Sequence, residues 1–220
     1  MKRFFLAIVL CCAVMAVNAQ TVEKTFADLK NEGNAAIAAK DFPKALDLYE
    51  QALVKLGDKP IVDSSMIYNM GYCAYVSKNY EKALKYFDQS VNMNYKKVNA
   101  LIYKGDTYKA MKNDAENLKS LEAALAIAPA DAKVKSKLAT YYINAATAIY
   151  AKGSAIITKA NNDITAGKLK NSDPAYISAE QKMKDEYTKA LPLIDKAITF
   201  DPTNAKAKQL KDACEQVLKG

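Results

Sequence analysis

Apolar residues recur at steps of three and four along most of this chain, which is the spacing of one face of an α-helix. Ala45, Tyr49 and Ala52 are a typical set, separated by four and then three residues. Stretches in which apolar and polar residues strictly alternate, as they do in half-buried strands, are scarce. The pattern therefore predicts an all-α protein.

Pairs of such helical segments repeat along the chain. Gly33, Gly71 and Gly105 each lie in one segment, and a short polar turn leads from each to a second segment. The second segments carry matching residues, which are Ala45, Tyr49 and Ala52, then Ala83, Phe87 and Ser90, then Asn117, Leu121, Ala124 and Pro129. Gly71 and Gly105 are 34 residues apart, whereas Gly33 and Gly71 are 38 apart because the first copy is longer around residues 57–62.

These residues resemble the signature of the tetratricopeptide repeat (TPR) family, in which a small residue, an Ala, an aromatic residue and a closing Pro recur every 34 residues or so. The resemblance covers residues 20–131 as three TPR-like repeats. It implies a superhelix of helical hairpins, an α-α solenoid, in which Tyr49, Phe87 and Leu121 fill the space between helix pairs. It also implies a concave groove, lined by the first helix of each pair, where family members usually bind extended peptides.

The fourth copy is longer than the others. An apolar stripe begins near Ala132 and continues at helical spacing to about Lys159, several turns beyond a normal repeat helix. The polar residues 161–174 predict a loop. We therefore expect residues 132–202 to form an extended fourth hairpin.

The returning helix of this hairpin is predicted to start near Tyr176 and to end at Phe200. Pro192 lies inside it and removes one backbone donor, so a kink is expected near Thr188. Residues 203–220 predict a last amphipathic helix that caps the repeat stack with a Lys-rich outer face.

The first nineteen residues have the pattern of a secretory signal peptide. A cationic start, Met1 to Arg3, precedes the apolar run Phe4 to Val17, and Ala19 suits the cleavage position. The run is short for a membrane span, so we expect no integral membrane segment after cleavage. The alternative is that residues 1–19 stay attached as an anchor. With cleavage, the 32 basic residues fall by two against 24 acidic ones, which leaves a net charge of about +6.

The composition argues against several classes of function. The chain has no His, which excludes His-dependent acid–base catalysis and His-ligated metal sites. It has neither a nucleophile elbow nor a Gly-rich phosphate loop, so we expect no catalytic residue, no metal and no cofactor. Arg3 is the single Arg, and the Lys residues are interspersed with Asp and Glu, so nucleic-acid binding is not expected. Cys73 and Cys214 are predicted to be buried free thiols rather than a disulfide.

A run of tyrosines marks the first helix of the second repeat. Tyr68, Tyr72 and Tyr75 lie at steps of four and three, which places their rings on one helix face directed at the groove. Exposed Tyr side chains offer apolar area with a hydrogen-bonding tip, which suits peptide or glycan contact. The alternative, which stays open for Tyr75 in particular, is packing under a neighbouring helix. Asp106, on the first helix of the third repeat, is also assigned to the groove.

Some TPR proteins hold a partner's terminal carboxylate with Lys, Asn, Asn, Lys and Arg side chains spread over three repeats. Lys30, Asn34 and Asn69 match the first three of these residues. Asn99 and Tyr103 occupy the last two positions, so the second Lys and the Arg are missing. Asn is common at these positions whatever the ligand, and we therefore expect little dependence on a free carboxylate.

Together these features predict a non-catalytic, exported TPR scaffold that binds a protein or peptide partner in its groove. The signal peptide and a composition that resembles Gram-negative, Bacteroidetes-like exported proteins favour a periplasmic or envelope-associated role in envelope assembly or maintenance. Two alternatives remain: a glycan-contacting envelope protein that uses the same Tyr-lined groove, and a structural assembly factor that acts through the long hairpin. The oligomeric state stays open.

Overall fold

The computed structural model describes residues 23–61 and 63–219, and over these residues the chain forms helices joined by short turns, with no strand. The all-α fold expected from the sequence is confirmed. The signal peptide predicted for residues 1–19 lies outside the described residues. In chain order the helices are α1 (Phe26–Ala38), α2 (Phe42–Leu56), α3 (Ser64–Val76), α4 (Tyr80–Asn92), α5 (Lys97–Ala110), α6 (Asp114–Ile127), α7 (Ala132–Thr165), α8 (Pro174–Phe200) and α9 (Ala205–Lys219).

The first six helices form three antiparallel pairs, α1 with α2, α3 with α4 and α5 with α6, and each pair packs against the next. A Gly lies where the helices of a pair cross. A Cβ atom on Gly33 would lie 2.6 Å from the Tyr49 ring, and one on Gly71 would lie 2.8 Å from the Phe87 ring. Only Gly allows these aromatic rings to approach so closely, which explains the residue pattern of the repeats.

The turn inside each pair is built in the same way. A Lys in the left-handed region ends the first helix, with φ of 61° at Lys40 and 60° at Lys78 and Lys112. The residue that follows each Lys caps the second helix by accepting a hydrogen bond from a backbone N–H: Asp41, Asn79 and Asn113. These short capped turns fix the angle between the paired helices.

The fourth hairpin is formed by α7, which has 34 residues, and α8, which has 27. The loop predicted over residues 161–174 is longer than the observed connection at both ends. The helix α7 continues to Thr165, and α8 begins at Pro174 rather than near Tyr176. The helix persists because buried Ala160 continues the apolar seam, while Lys159 pairs with Asp163 on the outer face at 3.0 Å. Pro174 occupies the first turn of α8, where no backbone donor is needed.

The seam between α7 and α8 follows a seven-residue repeat. On α8 the buried residues are separated by four and three residues in turn: Met183, Tyr187, Ala190, Ile194 and Ala197. On α7 small buried residues occur every seven positions: Ala139, Ala146, Gly153 and Ala160. This is the spacing of an antiparallel coiled coil. α8 runs through Pro192 as one helix, and the kink near Thr188 stays a prediction.

The last helix, α9, packs mainly against α8. Lys211 of α9 pairs with Asp195 of α8 at 2.8 Å, and Ala207 and Cys214 are buried beneath it. Cys73 and Cys214 are both free and buried, as predicted. Within residues 23–61 and 63–219, no helix combines the length and the apolar character needed to cross a membrane.

Candidate functional site

The first helices of successive repeats lie side by side and form one continuous face, which we call the inner groove. It is held together by contacts between neighbouring first helices. Across it, Lys30 pairs with Asp63 at the start of α3, Tyr72 of α3 contacts Tyr103 of α5, and Asp106 of α5 pairs with Lys137 of α7.

Tyr103 is the centre of an aromatic cluster in this groove. Its ring stacks on Phe87, with centroids 5.5 Å apart and planes 8° apart. Tyr72 and Tyr75 of α3 approach Tyr103 at 5.5 and 5.6 Å. All three tyrosines are half-buried, so each keeps part of its ring accessible. We call Tyr72, Tyr75 and Tyr103 the tyrosine platform.

Tyr68 does not belong to the exposed part of this cluster. The prediction that its ring lies open in the groove is wrong, because only 9% of the residue is accessible. The ring contacts Phe87 and Tyr95, each with centroids 6.0 Å away, and burial raises the pKa of its phenol to about 12. Tyr68 is therefore a core residue behind the platform. Tyr75 was predicted either to lie exposed in the groove or to pack under a neighbouring helix. It does some of each, since it is half-buried and lies beside Tyr103.

The partial carboxylate clamp is already engaged in contacts within the protein. Lys30 pairs with Asp63, and the Tyr49 hydroxyl donates to Asn34 Oδ1 at 2.7 Å. Burial tends to raise the pKa of Asp63, but hydrogen bonds from Lys30 and from the Met66 backbone outweigh it and hold that pKa below its ordinary value. Asn69 lies near the same hydroxyl of Tyr49. These residues hold α1 to its neighbours, and their predicted role in binding stays a prediction.

The groove contains a cleft of about 410 Å³ between α5, α6 and α7. Its volume falls in the range of about 300–1,000 Å³ that is usual for ligand pockets. Asp106 lies in this cleft, and both of its carboxylate oxygens accept from Lys137 Nζ at 2.6 Å. Its predicted role in partner binding stays a prediction. Lys133 lies at the end nearest the platform, with its Nζ 5.3 Å from the centroid of the Tyr103 ring.

Asn117, on the wall of this cleft, was missed as a functional candidate. It matches the position of Ala45 and Ala83 in the first two repeats, which are fully buried. Asn117 is only 4% exposed and lines the cleft, and its Oδ1 atom lies 3.2 Å from the position that a Cβ atom on Gly105 would occupy. The change from Ala to Asn was visible in the repeat alignment, but the cleft that the side chain faces was not.

The structure brings no cluster of metal-binding side chains together within its described residues, in the sense of three or more neighbouring Cys, Asp or Glu residues. The inner groove is lined instead by aromatic rings, amide groups and Lys side chains, some of them paired with a carboxylate. Such groups bind ligands by stacking, hydrogen bonding and charge.

No protein-family model matches the chain. A curated relative, the photosystem I assembly protein Ycf3 of Rippkaea orientalis, is 39% identical over 70 residues, which is 32% of this chain and 40% of that protein. The match thus spans less than half of the relative's length. Among solved structures, a TPR repeats protein from Bacteroides fragilis is 25% identical, with a TM-score of 0.52 over 88% of this chain and 99% of the other.

Proposed function

Because this chain is a tetratricopeptide-repeat protein, we propose that it is a non-catalytic scaffold that binds an extended segment of a partner protein in the inner groove. The observation that carries the proposal is the tyrosine platform. Three half-buried tyrosines on two neighbouring helices present ring faces and hydroxyl groups beside a ligand-sized cleft. Rings already held by their neighbours lose little rotamer freedom on binding, so their contacts favour complex formation.

We also propose that the protein acts outside the cytoplasm, in the periplasm or at the cell envelope, in envelope assembly or maintenance. The signal-peptide pattern of residues 1–19 supports this location. Intact-mass spectrometry of the protein purified from its own cells tests it, since processed protein should begin at Gln20, as glutamine or as its cyclised pyroglutamate form. An N-terminus at Met1 would contradict export by cleavage.

Selection of random dodecapeptides displayed on phage against the full chain tests the binding function. Selected peptides are resynthesised with both termini blocked, and their affinity is measured by fluorescence anisotropy. We expect Tyr72→Ala and Tyr103→Ala to weaken binding at least tenfold. Tyr176→Ala is the matched control, because Tyr176 is also half-buried but lies at the start of α8, away from the groove.

A glycan ligand is the outcome that would replace the peptide. Tyr rings also stack on sugars, so the same peptides are displaced with cell-wall oligosaccharides. If oligosaccharides bind to the platform and no peptide does, the groove is a glycan site and the peptide function is wrong.

A further inference from the structure

The tyrosine platform is built from two helices, so its shape depends on how α3 and α5 are held together. Tyr72 and Tyr75 belong to α3, whereas Tyr103 belongs to α5. In the chain, α4 and the turn at residues 93–96 separate these two helices. A small rotation of α5 would therefore move Tyr103 away from the tyrosines of α3. Sites of this kind need supporting residues behind them that fix the side chains in place.

Tyr68 is a buried link between the two helices. It lies on α3, one turn before Tyr72, and is 9% exposed. The centroid of its ring lies 6.4 Å from that of Tyr103 and 6.0 Å from that of Phe87, which stacks on Tyr103. Both contacts of Tyr68 are edge-to-face, an arrangement that favours particular relative orientations of the rings. Tyr68 therefore holds Tyr103 both directly and through Phe87.

Tyr68 also contacts the turn that leads into α5. The ring of Tyr95 lies 6.0 Å away, and Lys96 Nζ lies 4.8 Å from the centroid of the Tyr68 ring, within the range of a cation–π contact. Lys96 immediately precedes α5 and has a left-handed φ of 43°, and its side chain makes no capping hydrogen bond to the helix. Tyr68 thus contacts α5 at two points, its start and Tyr103, which are about two turns apart.

We propose that Tyr68 is a positioning residue of the tyrosine platform, which sets the place of Tyr103 relative to Tyr72 without contacting the bound peptide itself. This inference rests on the proposed function, because the platform is the surface to which the peptide is expected to bind. It gives Tyr68 a role in binding that does not require its ring to be accessible. Peptide affinity should therefore depend on a ring that the peptide does not reach.

The first test needs no ligand. The ring centroids of Tyr72 and Tyr103 are 5.5 Å apart, so the parent should show a nuclear Overhauser effect between their ring protons. The effect is measured on protein with ¹³C-labelled tyrosine rings. We expect Tyr68→Leu to fold but to lose most of the intensity of this effect, whereas Tyr68→Phe, which keeps the ring, should retain it. Full intensity in Tyr68→Leu would overturn the proposal.

The second test uses the dodecapeptides selected on the parent protein, at a temperature where circular dichroism shows every variant to be folded. We expect Tyr68→Leu to weaken their binding about tenfold and Tyr68→Phe to bind as the parent does. Tyr187→Leu is the matched control, because Tyr187 is a buried ring that stacks on Tyr150 in the fourth hairpin. It should lower the melting temperature but leave the affinity unchanged.

A double variant tests whether Tyr68 acts through Tyr103. When Tyr103→Ala is already present, Tyr68→Leu should weaken binding no further. A fully additive loss would overturn the proposal, as would an equal loss of affinity in Tyr187→Leu or in Tyr68→Phe.

Tyr95→Ala keeps the proposal testable if Tyr68→Leu does not fold. Tyr95 is half-buried and outside the platform, and its removal takes away one contact of Tyr68. The Overhauser effect between Tyr72 and Tyr103 should again weaken, and an unchanged effect would overturn the proposal. If no dodecapeptide binds the parent, the proposed function is wrong, while the Overhauser measurements still decide whether Tyr68 positions Tyr103.

Discussion

The Tyr103 ring lies flat on the Phe87 ring, with 5.5 Å between centroids, so Tyr103 joins the core on its Phe87 side while it stays half-buried in the groove. Phe87 has no accessible surface and also contacts Gly71. The proposed binding surface and the hydrophobic core therefore meet in the stacked pair of Tyr103 and Phe87. Variants on the two sides of this stack should have different consequences.

Phe87→Ala should lower the free energy of unfolding by about 3–5 kcal/mol, because a fully buried aromatic side chain is lost. Tyr72→Ala should cost about 1 kcal/mol, since the ring is half-buried, and should mainly weaken peptide binding. Urea denaturation followed by circular dichroism measures both. Tyr68→Ala should behave like Phe87→Ala, because Tyr68 is buried against Phe87. If Tyr72→Ala were as damaging as Phe87→Ala, the platform would be core and not a surface.

Gly71→Ala should destabilise the protein by about 1–3 kcal/mol, because the new Cβ atom would lie 2.8 Å from the Phe87 ring. Adding Phe87→Leu should restore part of the loss. The third repeat already pairs Gly105 with Leu121, where the nearest leucine atom lies 3.4 Å from such a Cβ. Thermal melts of the two single variants and the double variant form a mutant cycle. Additive losses would show that the Gly71 and Phe87 positions are not coupled.

Trypsin should cleave the native protein first after Lys168 or Lys170. Both residues are exposed in the loop between α7 and α8, whereas Lys159 and Lys184 lie within helices. Mass spectrometry of early fragments identifies the site, and Lys168→Gln with Lys170→Gln should slow the cleavage. Early cleavage among the first three repeats would contradict this prediction. Protection of the loop by a bound partner would indicate that the long hairpin takes part in assembly.

A free C-terminal carboxylate should add little to peptide affinity. Lys30 is already paired with Asp63, and the second Lys and the Arg of the clamp are absent. The same selected peptide is compared with an acid and an amide terminus. A difference below threefold is expected, whereas a tenfold preference for the acid would restore the clamp.

The ion pair between Lys30 and Asp63 should make stability depend on pH in the acid range. The pKa of Asp63 is lowered in the folded protein, so its contribution is present above the unfolded value of about 3.9 and is lost as the pH falls through the lower folded value. Asp63→Asn keeps a helix-capping side chain and should flatten the stability profile between about pH 5 and 2. Lys30→Gln removes the other partner of the ion pair and should change the profile in the same direction.

The repeat architecture could be predicted because its determinants are local in sequence. Gly33 and Gly71, with the aromatic residues sixteen positions later, define the helix crossings directly. The end of α7 at Thr165 was harder to predict, since polar residues on the outer face of a long hairpin look like a loop. Their helical state depends on the seam with α8, which the sequence shows only as two distant stripes.

The groove could be predicted only in outline. Helical spacing placed Tyr68, Tyr72 and Tyr75 on one face, but the packing of Tyr95 and Tyr103 decides which of them stays accessible. In the sequence, Tyr103 stands out only because it occupies the position of the Arg in the carboxylate clamp. In the structure it is the centre of the tyrosine platform. The cleft that Asn117 lines depends on α7 lying across from α6, a contact between repeats that no local pattern reveals.

The seven-residue spacing of Ala139, Ala146, Gly153 and Ala160 sets a unit of length for the fourth hairpin. Removing seven residues from α7 and seven from α8 leaves each remaining small residue opposite a seam position of its partner, whereas removing three or four from one helix alone does not. A shortened hairpin that keeps this seam therefore loses about 10 Å of reach for every seven residues removed from each helix, because seven helical residues rise by that amount. The packing of the seam therefore determines the steps by which the hairpin can be shortened.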